Sequence, residues 1–440
     1  MSIGVQNYEN SWQAAADHAD LNGFVWIADS APSQSSGPLA GMVLGVKDNI
    51  HVAGMPNVAG TAALTDFVPE EDATAVNRLK NAGALMLGKT NMHELAYGVT
   101  GINHFCGPTK NPFDTSRFAG GSSGGSAAVV AAGIVTAALG TDTGGSMRIP
   151  AALCGVIGFR PTTGRYPMEG VTPVSHTRDT IGPMARRIDD IIQIDKVITQ
   201  SNKEAVAADI SKLRLGIARD PFFRNLDSEV ERVTANALQT LANNGVTLIE
   251  ADMPGLVSLN DQASFPIALY ETLPSLEKYL AQYCPQISMA SLIQHIESPD
   301  VKAMFEEMTS DGAIPKTVYD DAMNIHRPKM QELYNQYFEQ HSVDAMVFPT
   351  TILPAGPIAG TIDMINHNDQ DEPVFPIYVQ NTDPGSLLGL PGITMPAGLT
   401  KDGLPVGMAL DGAKGQDEKI LSIALAIENL LGPSPQPHNI

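Results

Sequence analysis

An α/β fold with a mixed, mostly parallel central sheet covered by helices on both faces is what this sequence predicts, and three observations carry that expectation. Short apolar runs of strand length alternate with helical patterns through the first half. The stretch from Ile188 to about Met346 is more polar and more helical in pattern. Strand-like runs then resume at Ala345–Phe348, Gly392–Met395 and Val406–Leu410. Because the strand pattern returns after the helical middle, the chain reads as one continuous domain over 1–440. Its core lies at about 40–187 and 343–432, with a helical insertion at about 251–340.

The elements follow in order. Met42–Val46 is a strand leading into Lys47. Asp72 is placed to cap a helix with apolar positions at Val76, Leu79 and Ala82, and Gly83 is placed to end it. Ala84–Leu87 reads as a buried strand and Asn91–Tyr97 as a short helix. Ser126 is placed to cap a small-residue helix over Ala127–Ala132, followed by a strand at Ile134–Leu139. Val230, Val233, Ala237 and Leu241 keep helical spacing up to Gly245, and Val246–Ile249 returns to strand. Tyr270–Tyr337 is mostly amphipathic helix interrupted by prolines, suited to a lid or a binding insertion. Ile420, Ala424, Ile427 and Leu431 form a last amphipathic helix ended by Gly432.

Composition narrows the function. The 440 residues are 43% hydrophobic and 17% charged, enough apolar material for a sizeable core. Lysine and arginine number 27 against 48 acidic residues, a net charge of −21 that repels phosphate backbones and argues against nucleic-acid partners. Cys106, Cys154 and Cys284 are too scattered for a disulfide framework or a zinc site and fit a reducing compartment. The first twenty residues lack a basic start and an apolar core, and the longest near-apolar run, Ala127–Gly140, is too short to span a bilayer. The expectation is a cytoplasmic protein without membrane contact. The ten histidines show no metal-ligand spacing, so no metal and no organic cofactor is expected.

The informative segment runs from Gly120 to Arg148, GGSSGGSAAVVAAGIVTAALGTDTGGSMR, two serine-bearing glycine loops joined by an apolar stretch. Glycines ahead of a serine let several N–H groups converge on one point. In Thr143-Gly144-Gly145-Ser146 those groups could surround the oxygen that turns negative when Ser146 attacks a carbonyl. Ser122 and Ser123 lie between glycine pairs at a helix start, where the helix dipole adds positive potential. Lys47 sits in a charge-poor run, and burial there would favour the neutral amine over the ammonium. Two hydroxyls and one amine are the parts of serine-based acyl transfer with lysine in place of histidine.

These residues resemble the amidase signature family. The resemblance spans nearly the whole chain, from GVKDNI through GKTNMHE, GGSSGGS, GTDTGGSMRIPA and GFRPT to LPGITMPAG and GLPVGM. It implies the amidase signature fold, with Ser146 as nucleophile, Ser122 as the serine carried on a cis peptide bond and Lys47 as base. The oxyanion hole then maps onto the N–H groups of Thr143, Gly144, Gly145 and Ser146. Asp142, Arg148 and Ser123 are expected to hold the loops, with Arg148 as an alternative anchor for a substrate carboxylate.

Other readings fare worse. Gly121-Ser122-Ser123-Gly124-Gly125 also fits a nucleophile elbow with Ser123 attacking, but the polar, proline-containing run before it is not a buried strand. A phosphate-binding loop would need a basic residue that neither glycine loop has. Within the family, SHTRDT with GPMAR, NTDPGS and LDG resemble the mandelamide and indoleacetamide hydrolase branch. That implies a primary arylacetamide-type substrate as the small-molecule partner. Small aliphatic amides, dicarboxylic half-amides and a glutaminase subunit of a tRNA-dependent amidotransferase stay open, as does a homodimer.

Overall fold

The computed structural model describes residues 3–30, 35–360 and 363–437. Its organising feature is an eleven-stranded sheet. In chain order the strands are β1 (Phe24–Ile27), β2 (Val43–Lys47), β3 (Leu85–Thr90), β4 (Ala137–Asp142), β5 (Ile157–Arg160) and β6 (Thr180–Ala185). There follow β7 (Arg214–Ile217), β8 (Thr247–Glu250), β9 (Ala345–Pro349), β10 (Gly392–Leu399) and β11 (Pro405–Asp411). Across the sheet they run β1-β3-β2-β4-β6-β5-β10-β11-β9-β7-β8, so strands from both halves of the chain share one sheet.

The α/β class and the mixed sheet are as expected, but the balance of pairings differs. Parallel pairs occupy the two flanks, β3-β2-β4 on one side and β9-β7-β8 on the other. The centre, from β4 through β6, β5, β10 and β11 to β9, is antiparallel. The physical reason lies in the connections. β10 and β11 are joined by a tight turn at Thr400–Leu404, which permits only antiparallel pairing, whereas helical crossovers serve the flanks.

Between its two edge strands the sheet is largely buried on both faces, which explains why the inner strands read as continuous apolar runs. In β9, Ala345 and Val347 enter one core while Met346 and Phe348 enter another, as the two-residue period of a strand requires. On the first face pack the helices Thr74–Asn81, Ile188–Thr199, Ser228–Asn243 and Asp417–Leu431, through Leu79, Ile191, Leu241 and Ile427. The small-residue helix Gly124–Ala131 packs on the opposite face with Val43, Leu85 and Met184.

The helical middle comprises Leu256–Tyr283, Met289–Gln294, Pro299–Met308, Lys316–Asp321 and Arg327–His341, with a π-turn at Ala322–His326. Two caps differ from expectation. The first of the two helices begins at Thr74, and Asp72 instead accepts from Ala53 N–H and pairs with Lys80. Ser126 lies inside its helix, where its hydroxyl donates to the Leu139 carbonyl at 2.9 Å. Asn91–Tyr97 shortens to one 3₁₀ turn, Glu94–Ala96.

Candidate active site

Lys47 is the last residue of β2, and Asp142 is the last residue of its parallel neighbour β4. The carboxyl ends of parallel strands therefore bring the lysine and the second glycine loop to the same edge, where open α/β sheets place their ligand sites. The first loop joins them through the backbone: Ser123 N–H donates to the Ser146 carbonyl at 3.2 Å. Gly125 lets the same loop lie against residue 91, because a Cβ there would come within 2.5 Å of the backbone nitrogen and oxygen of Asn91.

Lys47 Nζ lies 2.7 Å from Ser122 Oγ and 2.8 Å from Thr141 Oγ1, all three side chains being buried. Asn49 Nδ2 donates to the same threonine oxygen at 3.1 Å. Burial pulls the Lys47 amine down to about 7, against the opposing pull of Asp142 and Asp179. Asp48 is not its ion partner. That carboxylate faces Lys89 at 3.7 Å and accepts from Gly60 N–H at 3.0 Å. Gly121–Ser122 is a cis peptide bond.

Ser146 lines a cleft together with Thr143, Gly144 and Gly145. Among the described residues, Ser146 Oγ and the N–H groups of residues 143–146 make no hydrogen bond within the protein. Polar donors left unpaired at a cleft are open to a ligand oxygen. The rest of the cleft is mainly apolar: Ile149, Val174, Leu269, Met304, Phe375 and Val379. The long helix Leu256–Tyr283 contributes Ser264, Phe265, Ala268 and Leu269, a spacing that presents one helical face.

Beneath the loop lies a cluster of buried charges. Arg148 Nε donates to Asp142 Oδ2 at 3.2 Å, Nη2 to the Thr382 carbonyl at 2.8 Å and to Ser386 Oγ at 2.6 Å, and Nη1 faces Asp411 at 3.5 Å. Arg148 is fully buried, and these contacts tie it to Asp142 at the start of the loop. Arg160 Nη1 donates to Asp142 Oδ1 at 2.8 Å. Burial would raise the Asp142 carboxyl, but the two guanidiniums outweigh it and hold it below the usual carboxylate range. Ser123 Oγ donates to the Thr141 carbonyl at 3.2 Å, a brace between the two loops.

A second buried pair lies in the cleft wall. Arg178 Nη2 donates to Asp383 Oδ1 at 2.5 Å, Nη1 to Ser264 Oγ at 2.8 Å, and Nε to the Thr143 carbonyl at 3.2 Å. Asp179 accepts from Thr143 Oγ1 at 2.6 Å. Thr141, Arg160, Arg178, Asp179 and Asp383 are partners that sequence reasoning left without roles. For Arg160 the signal was a charge inside the otherwise uncharged motif GFRPT, whereas Arg178 and Asp179 lie in SHTRDT, which is polar throughout.

A family model described as Amidase matches residues 8–421. The chain belongs to the amidase family. Members of the amidase family hydrolyse amides, and this chain is such an enzyme. An indoleacetamide hydrolase of Agrobacterium vitis is 42% identical, the match covering 89% of this chain and 84% of the relative. A mandelamide hydrolase of Pseudomonas putida is 39% identical over 96% of this chain and 87% of its own length. A crystal structure of an amidase superposes with a TM-score of 0.85 at 32% identity, covering 98% of this chain and 96% of that one. Among the described residues no helix is long and apolar enough to cross a membrane, and no group of three or more His, Cys, Asp or Glu could hold a metal ion.

Proposed function

We propose that this amidase hydrolyses a primary arylacetamide-type carboxamide to the carboxylic acid and ammonia, with Ser146 as nucleophile, Ser122 as relay and Lys47 as base. One observation carries the reading: a buried amine drawn to about 7 sits 2.7 Å from Ser122 Oγ, below a loop of uncommitted N–H groups. The neutral Lys47 amine takes the Ser122 proton while Ser122 takes that of Ser146. Ser146 Oγ bonds to the amide carbon, and the carbonyl oxygen gains its negative charge in front of the N–H groups of Thr143, Gly144, Gly145 and Ser146. As the tetrahedral species collapses, the proton returns through Ser122 to the departing nitrogen and ammonia leaves. Water, activated by the same relay, then releases the acid from Ser146.

Substrate class rests on the walls. The mainly apolar lining suits an aromatic acyl group. Among the described residues the charged groups there are already matched, Arg178 by Asp383, leaving no unpaired cation for a half-amide carboxylate or for glutamine. The relatives named for indoleacetamide and mandelamide point the same way. The helical segment at about 251–340 is read as the substrate-pocket insertion of a single domain, a reading that the placement of Phe265 and Leu269 supports. A cytoplasmic setting accords with the three free, scattered cysteines.

Ammonia release from phenylacetamide, mandelamide, indoleacetamide, malonamate and glutamine is the direct test, with the aryl amides expected to lead. On the best of them, Ser146→Ala and Lys47→Ala should each lose at least about 10³-fold in kcat, and Ser122→Ala should keep a residual rate. A Ser146→Ala enzyme with full activity would refute the assignment.

A further inference from the structure

We propose that Thr382 and Arg178 are positioning residues that aim the anion-binding N–H groups by gripping the carbonyls on the other side of the same peptide planes. The inference rests on reading residues 143–146 as the oxyanion hole. A trans peptide directs its C=O and its N–H in opposite directions. The carbonyl of Thr143 accepts from Arg178 Nε at 3.2 Å, and that plane carries the N–H of Gly144. The carbonyl of Gly144 accepts from Thr382 Oγ1 at 2.8 Å, and that plane carries the N–H of Gly145. Two successive planes are thus held from behind, with their donors turned the other way.

Glycine planes need such a grip because little else restricts them. Gly145 has φ of +141°, and a Cβ there would lie 2.1 Å from Thr382 Oγ1, so the glycine is what admits the hydroxyl. The grips are themselves secured. The Thr382 carbonyl accepts from Arg148 Nη2 at 2.8 Å, and Arg178 is fixed by Asp383 and by Ser264 of the long helix. A hydrogen bond from Thr382 Oγ1 to the Val379 carbonyl, at 3.2 Å, is the longer of its two contacts.

The test compares Thr382→Val, which keeps shape but loses the donor, with Thr382→Ser, which keeps the donor. Each is assayed on phenylacetamide, for binding of phenylacetaldehyde, whose carbonyl adds the serine hydroxyl to form a tetrahedral adduct, and for binding of 2-phenylethanol, a neutral ligand with no carbonyl oxygen to place in the hole. Thr382→Val should lower kcat by about 10- to 100-fold, less than outright loss of a donor, and weaken the aldehyde in step. KM and 2-phenylethanol affinity should stay within about threefold, and Thr382→Ser should recover most of the rate. Arg178→Lys, which retains a cation for Asp383 but lacks Nε–H, should move kcat the same way. An activity loss shared equally by 2-phenylethanol binding, or a serine variant as poor as the valine one, overturns the inference. Should the unmodified enzyme form no aldehyde adduct that Ser146→Ala abolishes, the oxyanion-hole reading itself falls and takes this inference with it.

Discussion

Lys47 has two thermodynamic signatures, one in rate and one in stability, and both follow from its burial. Its amine loses the proton near 7, whereas in the unfolded chain it would do so near the ordinary lysine value of about 10.4. For catalysis the neutral form is the competent one. The rate should therefore climb as pH rises through about 7 and level off above it, and a profile flat from pH 5 to 9 would rule out the base assignment. For stability the folded pKa lies below the unfolded one, so this group's contribution is present above the unfolded pKa. It is lost progressively as pH falls toward the folded value. Unfolding by urea at pH 7.5 and 9.5 isolates it. The unmodified protein should gain about 2 kcal/mol over that interval relative to Lys47→Met, in which the slope is missing.

At the scale of elements, the long helix Leu256–Tyr283 acts on the site through one carboxylate outside the cleft. Glu271 is buried and accepts from Ser175 Oγ at 2.6 Å, Thr177 Oγ1 at 3.0 Å and Tyr319 OH at 2.9 Å. It ties the helix to the loop bearing Arg178 and Asp179, both of which touch Thr143. Glu271→Gln replaces one acceptor oxygen by a donor facing hydroxyls already committed, so one or two of these bonds should fail. A loss of about 1–3 kcal/mol in urea unfolding is expected, with kcat falling alongside. Unchanged stability would show that the tie carries nothing.

That tie also shows where sequence reading stopped. The glycine loops and Lys47 were legible because glycine next to serine, and lysine inside an apolar strand, break local rules. Helix 228–243 and the closing helix were legible from their spacing. The strand over Ile134–Leu139 was placed early: it forms at Ala137–Asp142, because pairing with β2 and β6 sets its register, which no local pattern encodes. The partners Glu271, Arg178 and Asp383 could not be matched from letters, since their contacts span tens to hundreds of positions. The cap expected at Ser126 failed for a related reason: its hydroxyl is captured by a tertiary acceptor in β4.

Across the whole molecule, the strand ends at the middle of the sheet bury two carboxylates with the same two arginines, and they should affect folding in opposite directions. Asp142 is held below the usual range, since Arg148 and Arg160 more than offset its burial. Its ionised form therefore stabilises the fold above the unfolded pKa, and that stability is lost on acidification. Asp411 is pushed up to about 6, because burial outweighs Arg148 and Arg160, and Arg148 stands 3.5 Å away. Both Asp411 oxygens lack a hydrogen bond among the described residues. Its folded pKa exceeds the unfolded one, so its favourable contribution is present at low pH and lost as pH rises through about 6. Asp411→Asn, which imitates the protonated acid, should stabilise the protein by about 1–3 kcal/mol at pH 7, the gain vanishing near pH 4. Asp142→Asn should destabilise it at pH 7 by about 3–5 kcal/mol, because Arg148 and Arg160 would be left buried with too little counter-charge. Urea unfolding of both variants at pH 4 and pH 7 decides the matter. If the two asparagines shift stability in the same direction at pH 7, the division of labour between these carboxylates is wrong.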